Sequence, residues 1–183
     1  MELYLLLVVR ANSSFYWSDE SYYLSNLHRL YLGDSLIRDE WNSGMLSVYI
    51  LVPVYTLYIK AMWSTKCIYL FFRLFLLVLQ LIVSIDVYKY FEKKEQNSVG
   101  LGSALFILIY SRANIGGVSY YNMCLLFFVW FVIQFMRKRY IGAGVLYGLA
   151  VIENPYLLIF GIYFVILMIK SVFFAIHYCK ISI

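Results

Sequence analysis

Long apolar runs occupy the chain from residue 45 onward, and they restrict its fold more than any other feature. The runs are Met45–Ile59, Cys67–Tyr88, Val99–Ser111, Val118–Met136, Tyr140–Ile152 and Pro155–Ile176. Three of them approach or exceed the roughly 20 residues that cross the hydrocarbon core of a bilayer. Of the 183 residues, 63% are hydrophobic and 14% are charged, whereas a soluble domain has about 45–50% apolar and about 25% charged residues. We therefore expect one integral-membrane domain, residues 1–183, folded as an all-α polytopic bundle in the cell membrane.

Basic residues cluster between the apolar runs and predict the orientation of the bundle. The clusters are Lys89–Lys94, Arg137–Arg139, and Lys170 with Lys180. Two runs separate each cluster from the next, so all three lie on one side, which the positive-inside rule makes the cytoplasmic side. The turns Arg112–Gly117 and Glu153–Asn154 then face outside. The net charge of +5 fits this arrangement, and we expect no nucleic-acid partner.

Acidic residues are concentrated ahead of the long runs. Five of the ten Asp and Glu residues lie between Asp19 and Glu40. The segment Ser18–Leu32 is predicted to form an amphipathic surface helix, because Ser18 is a good N-cap, acids fill the first turn, and Gly33 follows as a C-cap. The segment Met1–Val9 is too short to span a bilayer. We expect it to be either the end of a longer first span or an interfacial anchor.

The side of the membrane on which Asp19 lies depends on Met45–Ile59. If this segment is re-entrant or interfacial, Asp19 faces outside together with Arg112 and Glu153. If it spans fully, Asp19 lies in the cytoplasm. The segment is short, contains Pro53 and ends before Lys60, which favours the external placement.

Cysteine and histidine residues indicate no redox or metal chemistry. Cys67, Cys124 and Cys179 are isolated and lie in or beside apolar segments, where they are expected to act as small hydrophobic residues rather than in a disulfide or metal site. His28 and His177 form no metal-binding pattern. The chain also has no glycine-rich nucleotide loop, so soluble nucleotide chemistry is not indicated.

Several segments, taken in order, resemble the N-terminal half of the GT-C membrane glycosyltransferases, especially the protein mannosyltransferase and aminoarabinose-transferase-like group. Trp17–Tyr23 resembles the acidic D-E-x-x-Y motif of that group's first external loop, and Leu24–Gly33 resembles the juxtamembrane helix after it. Met45–Ile59 resembles the partly embedded second helix, and Leu70–Leu74 resembles the arginine-bearing start of the next span. Gly142–Pro155 resembles the G-x-x-x-G-L-A…P stretch, although Glu153-Asn154 replaces the family's frequent lysine.

The resemblance implies both a topology and an activity. Residues 10–66 would form an external loop with juxtamembrane helices, and residues 67–183 would form transmembrane helices. The implied reaction is transfer of a sugar from a polyprenyl-phosphate-linked donor to an acceptor at the external membrane face. Family members are much longer, so the chain would be part of such an enzyme. Membrane lipid and the lipid-linked donor are its expected partners.

The resemblance also assigns roles to the first acidic pair. Asp19 matches the catalytic acid position and would be the base that activates the acceptor hydroxyl. Glu20 would orient the acceptor, and both acids are candidates to hold a divalent cation. The other interpretation is structural, because acids in a first helical turn are favoured by the helix dipole alone.

Four further residues are candidates for substrate binding. Arg73 lies about two turns inside a span, where it would bind the donor phosphate or extend to the interface. Asp39 and Glu40 form a second acidic pair, for which simple solvation is the alternative. Arg112 lies in an external turn, where capping is the alternative.

Two other functional classes stay open. One is a non-catalytic membrane subunit or an inactive remnant of a transferase. The other is a transporter of lipid-linked sugars, which predicts inverted repeats, and no convincing internal repeat is present in the sequence. Asp86, near the far end of the span that contains Arg73, is expected to lie at the interface, where it could pair with Lys89 or Lys93.

Overall fold

The computed structural model describes residues 2–13, 18–35, 38, 45–110 and 117–163. Within these ranges the protein is all-α, as the composition predicts, and contains no strand. The helices are α1 (Glu2–Ser13), α2 (Ser18–Leu32), α3 (Met45–Met62), α4 (Ile68–Glu92), α5 (Asn97–Ile109), α6 (Tyr120–Met136) and α7 (Tyr140–Glu153), followed by a 3₁₀ turn (Pro155–Leu157). Residues 158–163 are again helical.

One helix in this part of the chain is both long and apolar enough to cross a membrane. It is α4, with 25 residues. The other apolar helices are shorter; α6, for example, has 17 residues and extends about 25 Å at about 1.5 Å per residue. Helix length alone therefore supports one candidate span, and a multi-pass arrangement needs further argument.

Helix α4 is the centre of the bundle. It packs against α1, α5 and α6, and α6 in turn packs against α7. Near its C-terminus, Asp86 Oδ1 pairs with Arg137 Nη1 at 2.6 Å. Asp86 Oδ2 also accepts hydrogen bonds from Trp130 Nε1 at 3.0 Å and Gln134 Nε2 at 2.9 Å. These contacts place the two described basic turns at the same end of the bundle.

The partner of Asp86 differs from the one that the sequence suggested. We expected Lys89 or Lys93, which lie one or two turns further along the same helix. The structure instead pairs Asp86 with Arg137, which follows α6. The guanidinium also donates to the Asp86 backbone carbonyl at 2.8 Å, so one arginine contacts both the side chain and the backbone of α4.

Helices α2 and α3 form a separate layer over the opposite end of the bundle. They run side by side in the same direction, because Tyr23 contacts Ser47 near their beginnings and Tyr31 contacts Tyr55 further along. The ring of Tyr55 stacks near Phe72, at the beginning of α4, with centroids 6.3 Å apart. Layer and bundle therefore meet where α4 begins.

The end of α2 has the predicted glycine cap. Gly33 has φ +101°, a left-handed conformation that glycine adopts at low cost. Its amide donates to the Leu30 carbonyl at 3.1 Å, and the Asp34 amide donates to the Arg29 carbonyl at 3.0 Å. This is the Schellman pattern of bonds, and it stops the helix at the residue that the sequence indicated.

Candidate functional site

A buried ion pair joins the acidic helix α2 to the central helix α4. Arg73 Nε donates to Glu20 Oε1 at 2.8 Å, and Arg73 Nη2 donates to Glu20 Oε2 at 2.7 Å. The side chains are only 5% and 2% exposed. Arg73 Nη1 donates a third hydrogen bond, at 3.0 Å, to the Ala11 carbonyl of α1. One guanidinium thus connects three helices through the two-pronged geometry that arginine and carboxylate favour.

The chain before α6 closes over this ion pair. A Cβ at Gly117 would lie 2.8 Å from Glu20 Cδ, so the carboxylate packs directly on a backbone without a side chain. The Gly117 carbonyl accepts a hydrogen bond from Asn122 Nδ2 at 2.8 Å. Ser119 then caps α6 by accepting from the Asn122 amide at 3.3 Å. The start of α6 is therefore shaped to fit Glu20.

A second buried polar group lies one turn along α2. Tyr23 donates a hydrogen bond to Glu153 Oε2 at 2.9 Å and also contacts Ser47 Oγ. All three side chains are at most 1% exposed. This group joins α2 and α3 to the C-terminus of α7, and Glu153 follows the apolar run 140–152. Glu20 and Tyr23 are three residues apart, so they share one face of the helix.

The second group is electrostatically unusual because it contains a carboxyl without a cationic partner among the described residues. Burial and the neighbouring Glu153 raise the pKa of Tyr23 well above its usual range. Glu153 Oε1 has no hydrogen-bond partner within this part of the structure. An unpaired carboxylate is costly to bury, so the contact with Tyr23 is the main described compensation for Glu153.

The structure brings together two of the six predicted site residues, Glu20 and Arg73. Arg73 is buried against Glu20 rather than extended to the surface. Asp19 lies in the first turn of α2, and its side chain is outside the described part of the structure. Asp39, Glu40 and Arg112 also lie outside the described residues. Their predicted roles therefore remain predictions.

Glu20 is a poor candidate ligand for the predicted cation. Both oxygens of Glu20 accept hydrogen bonds from Arg73, which leaves the pair electrically neutral. Within the described ranges, no three His, Cys, Asp or Glu side chains lie together in a way that could hold a metal ion.

Sequence reasoning placed Glu153 in an external turn but missed its burial beside Tyr23 and Ser47. The available signal was its isolation, since Glu153 is the single acid after residue 95. A lone acid at the end of an apolar helix favours a specific partner, because an unpaired carboxylate is costly to bury. The identity of that partner depends on contacts between residues 130 positions apart.

Known proteins add nothing further to this site. The chain was compared with models of protein families, with curated proteins and with solved structures. These comparisons gave no match. The resemblance to the GT-C glycosyltransferases therefore rests on the motifs in the sequence, and the geometry above is the physical basis for a proposal.

Proposed function

We propose that the protein is a multi-pass membrane protein in which α4 to α7 cross the bilayer and α2 and α3 lie on its external surface. The difference in charge between the two ends of the bundle supports this membrane placement. Arg73 and Asp86 are 13 residues apart on α4, which separates the two ion pairs by about 20 Å. The basic turns lie beside Asp86, and the acidic helix lies beside Arg73. A bundle whose ends differ in this way fits the positive-inside rule.

The position of α3 supports the external placement of the acidic helix. Near the start of α3, Ser47 contacts the Tyr23 hydroxyl, which also donates a hydrogen bond to Glu153 at the end of α7. Tyr58, near its end, packs on Phe71 at the start of α4, with centroids 4.5 Å apart. Both ends of α3 therefore contact the same end of the bundle, as an interfacial helix would. A helix that crossed alongside α4 would contact both ends.

For activity, we propose transfer of a sugar from a polyprenyl-phosphate donor at this external face. The Glu20–Arg73 pair carries the proposal, because it fixes the N-terminus of α2, and hence Asp19, to the bundle. Asp19 accepts the proton of the acceptor hydroxyl, whose oxygen attacks the anomeric carbon while the polyprenyl phosphate leaves with the bonding electrons. Arg73 stays paired with Glu20, and its positive charge stabilises the leaving phosphate, for which a guanidinium is well suited.

The same ion pair favours a second candidate, a non-catalytic subunit or inactive remnant. Glu20 and Arg73 already satisfy each other's charge and most of their hydrogen bonds. Two residues so completely paired suffice to anchor a surface helix without any substrate. The two candidates predict different consequences for mutation of Asp19.

Cysteine labelling tests the membrane placement. Single cysteines replace the exposed residues Ser25 and Gln96 in a cysteine-free background, and intact cells are treated with a membrane-impermeant thiol reagent. We expect labelling at position 25 and protection at position 96, because the two lie at opposite ends of the bundle. Labelling at both positions would contradict the topology. Protection at position 25 alone would indicate that the acidic helix lies in the cytoplasm.

Mutation of Asp19 tests the chemistry. Membranes containing the protein, or a longer chain that includes it, receive a radiolabelled polyprenyl-phosphate hexose, and movement of label out of the lipid phase is measured. Asp19→Asn should lower transfer about 10²–10⁴-fold, as expected for loss of a general base. Asp34→Asn is the matched control, since Asp34 is exposed and pairs only with Arg29 in the described structure; Asp39→Asn should also be mild. Full transfer by folded Asp19→Asn protein would exclude this role.

A further inference from the structure

An open apolar groove runs along the bundle on the side formed by α4, α5 and α6. Its volume is about 470 Å³. Its walls are almost entirely hydrocarbon and include Val87, Phe91, Phe106, Phe128 and Ile133. Phe106 is 61% exposed, so the groove opens outward rather than forming an enclosed cavity. Its dimensions and lining suit a flexible hydrocarbon chain.

Part of the groove has space that a side chain would occupy. Gly102 lines the groove, and a Cβ placed there would meet no atom within 4 Å. The groove extends from Leu125 to Ile133 along α6, which is about 12 Å at about 1.5 Å per residue. It thus begins near the middle of the bundle and ends at the basic turns.

The charge at the mouth of the groove indicates what kind of molecule the groove binds. Phe91 lines the groove and is followed directly by the turn that contains Lys93 and Lys94. In the two turns at this end, four exposed cations, Lys93, Lys94, Lys138 and Arg139, outnumber two exposed acids, Glu92 and Glu95. Lys94 Nζ lies 4.8 Å from the centre of the Tyr90 ring, and that ring packs edge-on against the groove-lining Phe91 with centroids 5.3 Å apart. An apolar channel with a cationic mouth is complementary to an anionic amphiphile.

We propose that this groove binds an anionic phospholipid, with an acyl chain between α5 and α6 and the headgroup phosphate at the Lys93–Lys94 turn. Clusters of basic residues at the membrane surface attract anionic headgroups, and the groove adds a specific site for the chain. This surface lies at the end of the bundle opposite Glu20 and Arg73, so it is distinct from the site proposed for sugar transfer. The inference rests on the proposed membrane placement but not on the proposed reaction.

Lipid retention measures this binding directly, without any sugar donor. The full chain is reconstituted in vesicles of equal phosphatidylglycerol and phosphatidylcholine and extracted in mild detergent, and its bound lipids are counted by native mass spectrometry. We expect the wild-type protein to retain phosphatidylglycerol preferentially. Lys93→Gln with Lys94→Gln should reduce that preference roughly 25-fold, since each lysine contributes about fivefold. The exposed pair Lys60→Gln with Lys66→Gln is the charge-matched control and should leave it nearly unchanged.

A second pair of variants tests the groove itself. Gly102→Leu adds a side chain to the groove at a position where a Cβ meets no atom within 4 Å, and it should strongly reduce retention of both lipids. Gly148→Leu is the control, because Gly148 is also helical, exposed and without neighbours within 4 Å of a Cβ. Unchanged retention in folded Gly102→Leu protein would overturn the proposal. A change from dimer to monomer in that variant, with lipid retention unchanged, would show that a second copy covers the groove and would also overturn it.

The two proposals can fail separately. Impermeant labelling at both Ser25 and Gln96 positions would reject the membrane placement, whatever the lipid result. Equal retention of the two lipids, with no effect of the Lys93 and Lys94 substitutions, would reject the anionic site even if the topology and sugar transfer are correct. Loss of transfer in Asp19→Asn protein has no bearing on lipid retention.

Discussion

Glu20 and Arg73 should stabilise the fold mainly through their interaction with each other. Either side chain without its partner should destabilise it. Glu20→Gln keeps the shape of the side chain but leaves the Arg73 charge buried without a counter-charge. Arg73→Met leaves the Glu20 carboxylate buried and also releases the Ala11 carbonyl. Removing one partner of a buried pair costs about 3–5 kcal/mol, because the other charge remains buried. We expect Arg73→Met to be the more destabilising change.

A double-mutant cycle isolates the interaction. The variants Glu20→Gln, Arg73→Met and their combination are purified in mild detergent, and thermal unfolding is followed by circular dichroism. Each single change should lower Tm by roughly 6–20 °C for a chain of this size. The combined variant should be less destabilised than the sum of the single changes, with a coupling energy of about 2–3 kcal/mol.

An exposed ion pair on the same helix supplies the matched control. Arg29 and Asp34 pair at 3.0 Å, but their side chains are 36% and 45% exposed. Such a pair contributes about 0–1 kcal/mol because solvent screens it. If Arg29→Met with Asp34→Asn costs as much as breaking the buried pair, or if the buried pair shows coupling below about 0.5 kcal/mol, burial is not the source of the effect and the reasoning is refuted.

A further prediction concerns the glycine that packs on this pair. Gly117→Ala should lower stability by about 1–3 kcal/mol, because its Cβ would lie 2.8 Å from Glu20 Cδ and such overpacking is costly. Gly148→Ala, where a Cβ meets no atom within 4 Å, should instead be neutral or stabilising by up to about 1 kcal/mol. Equal Tm shifts of the two variants in thermal scans would contradict the packing.

The helical elements follow closely from local sequence. The α2 boundaries match the predicted Ser18–Leu32 because Gly33 can adopt a positive φ and the acids fit the first turn. The run Cys67–Tyr88 corresponds to α4, although the helix continues to Glu92. The first residues of a basic turn can remain helical, and apolarity alone does not show where such a helix stops.

The candidate site was only partly predictable. The acids of α2 and the isolated arginine of α4 were recognisable because charges are rare in this chain. Their contact was not, since it joins residues 53 positions apart and depends on how α2 lies across the bundle. The burial of Glu153 escaped prediction for the same reason.

The sequence by itself determined that this protein is helical, that its apolar segments alternate with basic turns, and that its acids gather near residue 20. These properties follow from composition and spacing along the chain. Only the tertiary structure decided that Glu20 faces inward to Arg73, that Tyr23 contacts Glu153, and that both ends of α3 meet one end of the bundle. Each of these depends on the relative placement of distant helices, which side-chain packing sets and local patterns do not encode.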